Sequence, residues 1–232
     1  MAKLTPLQPA FVLHSKPFRN TSLWLDLFTL DQGRVHAIAR GGRRSRASGK
    51  ILLQPFTPLL VECVGKNDLL TLRRIEAQTQ AYRLYANCLI SGLYLNELLR
   101  CLLIRFDPHA KLFQNYSDTL VQMTDVTRLE PALRLFEKNL LRETGYGLHL
   151  THEAKTHKAI EPDRYYLYYA EEGLSPCLSA HESGAFLGQD LMAIEANQFT
   201  GASVLSAAKR LLRIALTQRL GGKELHSRKM FL

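Results

Sequence analysis

Along its first eighty residues the chain alternates apolar and polar positions with a period of two, the spacing of half-buried β-strands. In the segment 22–30 two sets of side chains point to opposite faces: Leu23, Leu25 and Leu27, and Trp24, Asp26 and Phe28. The pattern predicts strands at residues 11–14, 22–30, 34–40, 52–64 and 69–75, with a hairpin turn at Asp31-Gln32-Gly33. Five strands in this length fit a small closed barrel, and the OB-fold is the commonest such barrel that binds single strands.

After about Thr79 the apolar residues change to the spacing of helices. Helices are predicted at 81–104 (one, or two in series), at 109–123, from Glu130-Pro131 to Gly145, at 189–196 and at 203–220. The predicted fold class is therefore α+β. A five-stranded OB-fold barrel at 1–79 precedes a mainly helical domain at 80–232, which carries a short irregular or β segment around 149–188.

A run of cations without an acid interrupts the predicted strands. Its members are Arg34, Arg40, Arg43, Arg44, Arg46 and Lys50. The glycines and serines of the central part, residues 40–50, predict a mobile loop, and arginine offers a planar fork of donors that matches phosphate oxygens. With a net charge of +9, this loop predicts contact with nucleic acid. Lys16, Arg19, Arg73 and Arg74 could extend the same surface, or could be ordinary solvated cations.

Other classes of protein are poorly supported. The amino-terminal residues lack the apolar stretch of a secretory signal, and the longest charge-free apolar stretch, 84–96, falls far below the roughly 20 residues that span a bilayer. The cysteines are widely spaced, which predicts reduced and mostly buried thiols in the cytoplasm: Cys63, Cys88, Cys101 and Cys177.

Catalytic and metal-binding signatures are also missing from the sequence. It has no Gly-x-Ser-x-Gly elbow, no phosphate-binding Gly-x-x-x-x-Gly-Lys loop and no His-Glu-x-x-His, so we expect a binding protein with no cofactor and no small-molecule substrate. Asp26 and Asp31 flank a turn near the basic loop, but two acids alone do not form the two-metal centre of a nuclease. The spacing of His149, His152 and His157 matches no common zinc signature. Four tyrosines could stack on bases, but alternating tyrosines more often pack half in the core: Tyr165, Tyr166, Tyr168 and Tyr169.

One predicted helix, 131–144, carries a basic stripe beside its apolar face. The stripe consists of Arg134, Lys138 and Arg142, at positions i, i+4 and i+8. It could be an exposed cationic ridge, or the rim of a groove that takes an acidic peptide with an apolar tip. The residues alone leave both interpretations open.

Several motifs, taken in order, resemble those of a known family. They are Ala10-Phe11-Val12-Leu13-His14-Ser15, Leu52-Leu53-Gln54-Pro55-Phe56-Thr57-Pro58-Leu59-Leu60, Ser91-Gly92-Leu93-Tyr94-Leu95-Asn96-Glu97-Leu98-Leu99, Glu130-Pro131-Ala132-Leu133-Arg134-Leu135-Phe136-Glu137, Gly145-Tyr146-Gly147 and Leu220-Gly221-Gly222-Lys223-Glu224-Leu225-His226-Ser227-Arg228. The chain is similar, nearly from end to end, to the RecO family of bacterial recombination mediators, and most of all to its proteobacterial branch.

The resemblance implies an OB-fold, a helical domain and DNA repair by the RecFOR route, in the cytoplasm and associated with the nucleoid. RecO-like proteins bind single- and double-stranded DNA, anneal complementary strands, engage the acidic C-terminal tail of single-stranded-DNA-binding protein (SSB) and, with RecR, help to load RecA. The position that matches the family's tail-docking site is Arg134. Many members carry a four-cysteine zinc site after the Gly-Tyr-Gly segment, where this chain has only Cys177, so we expect no zinc. The alternative class is an RNA-binding OB-fold protein of RNA processing or translation.

Overall fold

The computed structural model describes residues 3–42, 53–66, 68–177 and 182–231. By their contacts the residues group into two compact units, Met1–Val126 with Leu225–Leu232, and Thr127–Glu224. This grouping follows packing rather than chain order, and the domain boundary at 79/80 stays a prediction from the sequence.

A closed β-barrel forms the centre of the first unit. Its strands are β1 (Lys3–Leu4), β2 (Gln8–Phe18), β3 (Ser22–Thr29), β4 (Gly33–Ala39), β5 (Leu59–Gly65) and β6 (Leu69–Ala77). They pair in the order β1-β5-β2-β3-β4-β6, and an additional β5–β6 pairing closes the ring of β2 to β6. The β4–β6 pair is parallel and the others are antiparallel. The predicted five-stranded OB-fold barrel is confirmed.

The period-two pattern fills the interior of the barrel. Alternate residues of each strand point inward and are almost fully buried; they include Val12, Leu25, Leu27, Val35, Ala37, Leu59 and Val61. The predicted turn before β4 also forms. Gly33 has φ +66°, and a Cβ at this position would lie 1.8 Å from the carbonyl oxygen of Asp107, so only glycine fits there.

The predicted strand 52–64 needs a correction, because the structure begins the strand only at Leu59. Pro55 and Pro58 have no N–H to donate to a ladder, which explains why this part of the segment forms turns instead. Leu53 nevertheless packs in the barrel core, and Phe56 is buried as well. The ring of Phe56 would meet a Cβ at Gly92 at 2.9 Å, so the following helix approaches closely here.

Two helices of the first unit cover part of the outer face of the barrel: α1 (Ala86–Leu102) and α2 (Ala110–Gln122). From α2, the ring of Phe113 lies 5.4 Å from that of Phe11 and 5.3 Å from that of Phe28. From α1, the amide of Asn96 donates to the carbonyl oxygen of Leu13 at 3.1 Å. Residues on both faces of strands β2 and β3 are therefore buried.

A 3₁₀-helix, His226–Phe231, returns to this unit and packs against α1. Both carboxylate oxygens of Glu97 accept hydrogen bonds from it, with the backbone N–H groups of His226 and Ser227 donating at 2.9 Å each. The hydroxyl of Ser227 donates as well, at 2.6 Å. Burial opposes ionisation of Glu97, but these hydrogen bonds outweigh it and lower its pKa.

The second unit is mainly helical. After a 3₁₀ turn at Val126–Arg128 come α3 (Leu129–Glu143), β7 (Tyr165–Tyr169), β8 (Gly173–Cys177), β9 (Phe186–Leu187), α4 (Gly188–Glu195) and α5 (Ala202–Arg219). The strands form a small antiparallel sheet in the order β8-β7-β9. Helix α5 packs against α3 and α4. Within the described part of the chain, no helix is long and apolar enough to cross a membrane.

Candidate nucleic-acid interface

Part of the outer face of the barrel is left uncovered by α1 and α2. Lys16 of β2 lies opposite Trp24 of β3, Trp24 lies opposite Ile38 of β4, and Ile38 pairs with Thr71 of β6. Residues paired in this way project to the same face of a sheet, and the core side of these strands is taken by their neighbours such as Leu25. The four side chains therefore form one row that crosses four strands on the outside of the barrel.

An open groove of about 780 Å³ adjoins this row. Its lining residues are Phe18, Arg19, Asn20, Thr21, Ser22, Ile38, Arg40, Leu69 and Thr71. None of these described lining residues is acidic, and both arginines are exposed. The guanidinium of Arg19 lies over the ring of Phe18, 5.4 Å from its centroid. The groove thus combines cations with apolar and aromatic surface, which suits a polyanion that carries flat bases.

Beside the groove a buried carboxylate organises several cations. Asp26 of β3 is fully buried. Its two oxygens accept hydrogen bonds from Nε and Nη2 of Arg34, at 2.9 and 2.8 Å, and from Nε of Arg100 at 3.1 Å. Arg34 also donates through Nη1 to the carbonyl oxygens of Arg100 and Leu103. This cluster joins β3, β4 and the end of α1, and so fixes two of the strands that carry the row on the outside of the barrel.

His36 lies between this cluster and Trp24. Its Nε2 is 3.7 Å from Oδ1 of Asp26, and Nη1 of Arg105 donates to its Nδ1 at 3.4 Å. Burial lowers its pKa; the nearby Asp26 carboxylate acts in the opposite direction, and the cations of Arg34, Arg105 and Arg100 lower it further. The imidazole is therefore neutral at pH 7 and rests against the indole of Trp24, with ring centroids 4.3 Å apart.

The cations predicted to bind DNA have different surroundings in the structure. Lys16 and Arg40 are exposed on the face just described. The guanidinium of Arg34 is bound to Asp26 and its side chain is only 15% exposed, so little of it is left to contact a phosphate. Arg73 and Arg74 are exposed, but each lies beside a carboxylate, that of Glu62 for Arg73 and that of Glu76 for Arg74.

The centre of the predicted basic loop lies outside the described residues. This applies to Arg43, Arg44, Arg46 and Lys50. The described chain enters the loop at Arg40, which lines the groove, and leaves it at Leu53, whose side chain is part of the barrel core. Because Arg40 lines the groove, the loop begins at the groove.

The basic stripe predicted on α3 divides into one buried, one partly buried and one exposed cation. The Nη1 atom of Arg134 lies 2.7 Å from Oε2 of Glu137, and its side chain is 8% exposed. The ammonium of Lys138 donates to the carbonyl oxygens of Ile194 and Glu195, at 2.9 and 2.7 Å, so it binds the carboxyl-terminal end of α4. Burial lowers the pKa of Lys138, partly offset by Glu195 and reinforced by Arg142.

Arg142, the third member of the stripe, is 59% exposed and lies 3.8 Å from Oε1 of Glu143. The open surface of α3 that could meet a peptide is thus smaller than the sequence pattern indicated. Arg134 is buried and has the carboxylates of Glu130, at 3.6 Å, and Glu137 as its neighbours.

The remaining candidates belong to the second unit. Tyr166 is fully buried and accepts a hydrogen bond from the backbone N–H of Glu161, while Tyr169 is exposed at the rim of a groove between β7 and α5. The described residues contain no group of three His, Cys, Asp or Glu side chains that could hold a metal ion. In particular, His152 contacts the hydroxyl of Thr151.

Comparison with known proteins assigns the chain to a family. The model of the N-terminal part of recombination protein O matches residues 1–80, and that of its C-terminal part matches residues 86–229. The DNA repair protein RecO of Coxiella burnetii (strain RSA 493 / Nine Mile phase I) is 41% identical over 232 residues, 99% of each chain. The chain belongs to the RecO family.

Two further RecO proteins have similar identities. That of Haemophilus influenzae (strain ATCC 51907 / DSM 11121 / KW20 / Rd) is 43% identical, over 97% of this chain and 95% of its own. That of Actinobacillus succinogenes is 42% identical, over 97% of this chain and 94% of its own. Membership of the RecO family assigns this chain to recombination and DNA repair, and the family resemblance seen in the sequence is confirmed.

The structure adds residues to the site that the sequence did not single out. Trp24 and His36 were expected only as strand positions, and Asp26 as one of two acids near the basic loop. One signal was present: segment 22–30 places an acid and a tryptophan on the same side of a strand whose other side is leucine. A polar face that includes a large aromatic residue is a reason to look for a ligand there.

Proposed function

We propose that this protein binds single- and double-stranded DNA through the barrel, anneals complementary strands and acts as a recombination mediator of the RecFOR type. The observation that carries the proposal is the groove beside Trp24, which is bounded by Arg19 and Arg40, has no acid among its described lining residues, and lies where the basic loop begins. The site of action would be chromosomal DNA in the cytoplasm.

The proposed mechanism needs no covalent step. Two DNA strands repel each other through their phosphates, and a surface that neutralises phosphates on both strands lowers this repulsion. Lys16, Arg19 and Arg40 lie on one face of the barrel, and Arg43, Arg44, Arg46 and Lys50 follow in the sequence. A rigid barrel with exposed cations can therefore hold two strands close enough to pair while it leaves their bases accessible.

Recruitment is proposed to use the second unit. An SSB tail ends in acids and an aromatic ring, and α3 carries the cations Arg134, Lys138 and Arg142, of which Arg142 is exposed. Tethering through the tail raises the local concentration of the protein at SSB-coated DNA. RecR is proposed as the further partner with which it promotes RecA loading, and no surface is assigned to that contact.

The decisive experiment is the annealing of complementary oligonucleotides coated with SSB, using intact SSB and SSB without its last residues. We expect fast annealing with intact SSB and slow annealing with the truncated protein, and we expect strands without SSB to anneal as well. Failure to bind or anneal naked DNA would overturn the proposal. Equal affinity for single-stranded RNA and DNA, with no effect of the tail, would favour the RNA-binding class instead.

A further inference from the structure

Trp24 is the chain's single tryptophan, and it lies on the outside of the barrel rather than in a core. It occupies the middle of the row Lys16, Trp24, Ile38 and Thr71, and its indole is half-buried. A tryptophan in a core would bury up to about 250 Å² of surface. This one leaves part of that surface open beside a groove lined by cations.

The two neighbours of the indole differ in how firmly they are held. His36 is largely buried, its Nδ1 accepts a hydrogen bond from Nη1 of Arg105, and its ring is inclined at 53° to the indole. Lys16 is exposed, and its ammonium lies over the indole, 4.7 Å from the ring centroid. A lysine side chain has four rotatable bonds and a cation–π contact at an exposed site is weak. Lys16 can therefore leave the ring, whereas His36 supports it from the side.

The surroundings of Trp24 match those of single-strand binding sites on other barrels, in which an aromatic ring stacks on a base and nearby cations contact the phosphates. Arg40 is exposed on β4, and Arg19 is exposed in the turn between β2 and β3. Both line the groove next to Ile38, the direct cross-strand partner of Trp24. The ring and the cations thus lie on one continuous face.

We propose that Trp24 is a stacking site for one unpaired base of single-stranded DNA, and that Lys16 moves from the indole to the adjacent phosphate when the base binds. The inference rests on the proposed DNA-binding function of the barrel. It adds a selectivity that cations alone do not provide, because a base within a duplex is already stacked on both sides and cannot cover the indole.

The single tryptophan makes the test direct, because all tryptophan fluorescence comes from this position. Wild-type protein is titrated with a fluorescein-labelled oligothymidylate of about 12 nucleotides, a length within the range of site sizes for such barrels, and with a duplex of equal length. Anisotropy reports binding, and tryptophan emission reports the environment of Trp24. We expect strong quenching with the single strand and little with the duplex, both at saturation.

Variants then separate stacking from stability. Trp24→Ala should weaken binding of the single strand about tenfold, a typical loss when one base loses its stacking partner, with binding of the duplex unchanged within about twofold. Trp24→Phe should recover most of the loss. Tyr85→Ala is the matched control, since Tyr85 is an aromatic residue 70% exposed in the same unit. Lys16→Met should reduce the salt dependence of single-strand binding by about 0.7, the value of one phosphate contact.

Each outcome is informative. If anisotropy shows that the wild-type protein is saturated with the single strand and tryptophan emission is not quenched, the stacking site is overturned. This measurement does not depend on whether the Trp24→Ala variant folds. Equal losses for both DNA forms, or no loss for either, overturn it as well, while the proposed DNA-binding function stands. Failure of the wild-type protein to bind either form overturns the proposed function itself. Equal quenching by an RNA strand would show that the site takes any unpaired base, and would overturn its assignment to DNA.

Discussion

Asp26 and Arg34 form a two-pronged ion pair across neighbouring strands, with Nε to Oδ1 at 2.9 Å and Nη2 to Oδ2 at 2.8 Å. Arg100, from α1, adds a third hydrogen bond to the same carboxylate. The aspartate is fully buried whereas both arginines remain partly exposed. One buried anion therefore holds two cations, from the barrel and from the helix that packs on it.

We expect Asp26→Asn to lower the free energy of unfolding by about 3 kcal/mol or more, because it leaves two cations beside each other without a counter-ion. Urea denaturation measures the change. Glu76→Gln is the control, since it breaks an exposed ion pair with Arg74 on the same barrel and should change stability by at most about 1 kcal/mol. Similar effects of the two substitutions would show that the Asp26 cluster does not hold the barrel to α1.

The basic loop should contribute to affinity rather than to stability. Replacing Arg43, Arg44 and Arg46 together by alanine is expected to weaken DNA binding and annealing, and to reduce the dependence of log K on log salt for single strands by about two units, at roughly 0.7 for each phosphate contact. Binding is measured by anisotropy between 50 and about 200 mM salt, the range over which such contacts are lost. An unchanged slope with normal annealing would remove the loop from the site.

The SSB-tail site should depend on Arg134. A charge-assisted hydrogen bond contributes roughly 1.5–3 kcal/mol, so Arg134→Ala is expected to lower the affinity for a labelled tail peptide at least about tenfold. Binding of naked DNA should barely change. Lys155→Ala changes a cation that is 78% exposed elsewhere in the second unit, and it is the control for general charge.

Because Arg134 also pairs with Glu137, thermal unfolding of the variant must accompany the peptide titration. A folded Arg134→Ala protein that binds the peptide normally would show that Arg134 serves only the second unit's own structure. Equal losses for the peptide and for DNA would mean that the substitution is not specific to the tail.

The barrel should become less stable as the pH falls below about 6.5. Burial, followed by the charge of Arg100, lowers the pKa of His14 from its usual 6.5, with Asp26 opposing and Lys16 assisting; burial lowers that of His36 as well. The folded state therefore binds fewer protons than the unfolded state in this range, so stability is full above pH 6.5 and is lost as the pH falls through the folded pKa values.

Urea denaturation at pH 7.5 and at pH 5.5, values that lie on either side of the usual histidine pKa, tests this dependence. The double substitution His14→Gln and His36→Gln should flatten the difference between the two pH values. Glu97, whose pKa is lowered from 4.5, affects stability only at more acidic pH. A pH dependence that persists unchanged in the double variant would refute the role of these histidines.

Much of the fold could be predicted from local patterns, and the reasons are visible in particular residues. The alternation of Leu23, Leu25 and Leu27 marks the inward side of β3: Leu25 and Leu27 lie in the barrel core, and the partly buried Leu23 packs against it. The turn at Gly33 and the end of α3 before Gly145 follow from glycines with positive φ, a strong local preference. Each of these signals depends on only a few neighbouring residues, so it can be read from the sequence without knowledge of long-range contacts.

The site was less predictable because its contacts join distant parts of the chain. Arg34 looked like one more cation of the loop, but its carbonyl partners Arg100 and Leu103 lie far along the sequence. Lys138 likewise appeared as part of a surface stripe, and its partners are at the end of α4. A cation that is bound to a group within the protein is less available for a ligand. Such partners lie far away in the sequence, and the periodicity of the sequence does not reveal them.

The residues at the two ends of the basic loop are held in place by the barrel core. Ala39 and Leu53 both pack in the barrel core, so the intervening segment closes a chain whose ends are already fixed. The entropy of closing such a segment rises slowly with its length, and a doubling adds only about 0.6 kcal/mol. We therefore expect insertions between these anchors to cost little folding free energy, so that the length of this segment can vary while the scaffold persists.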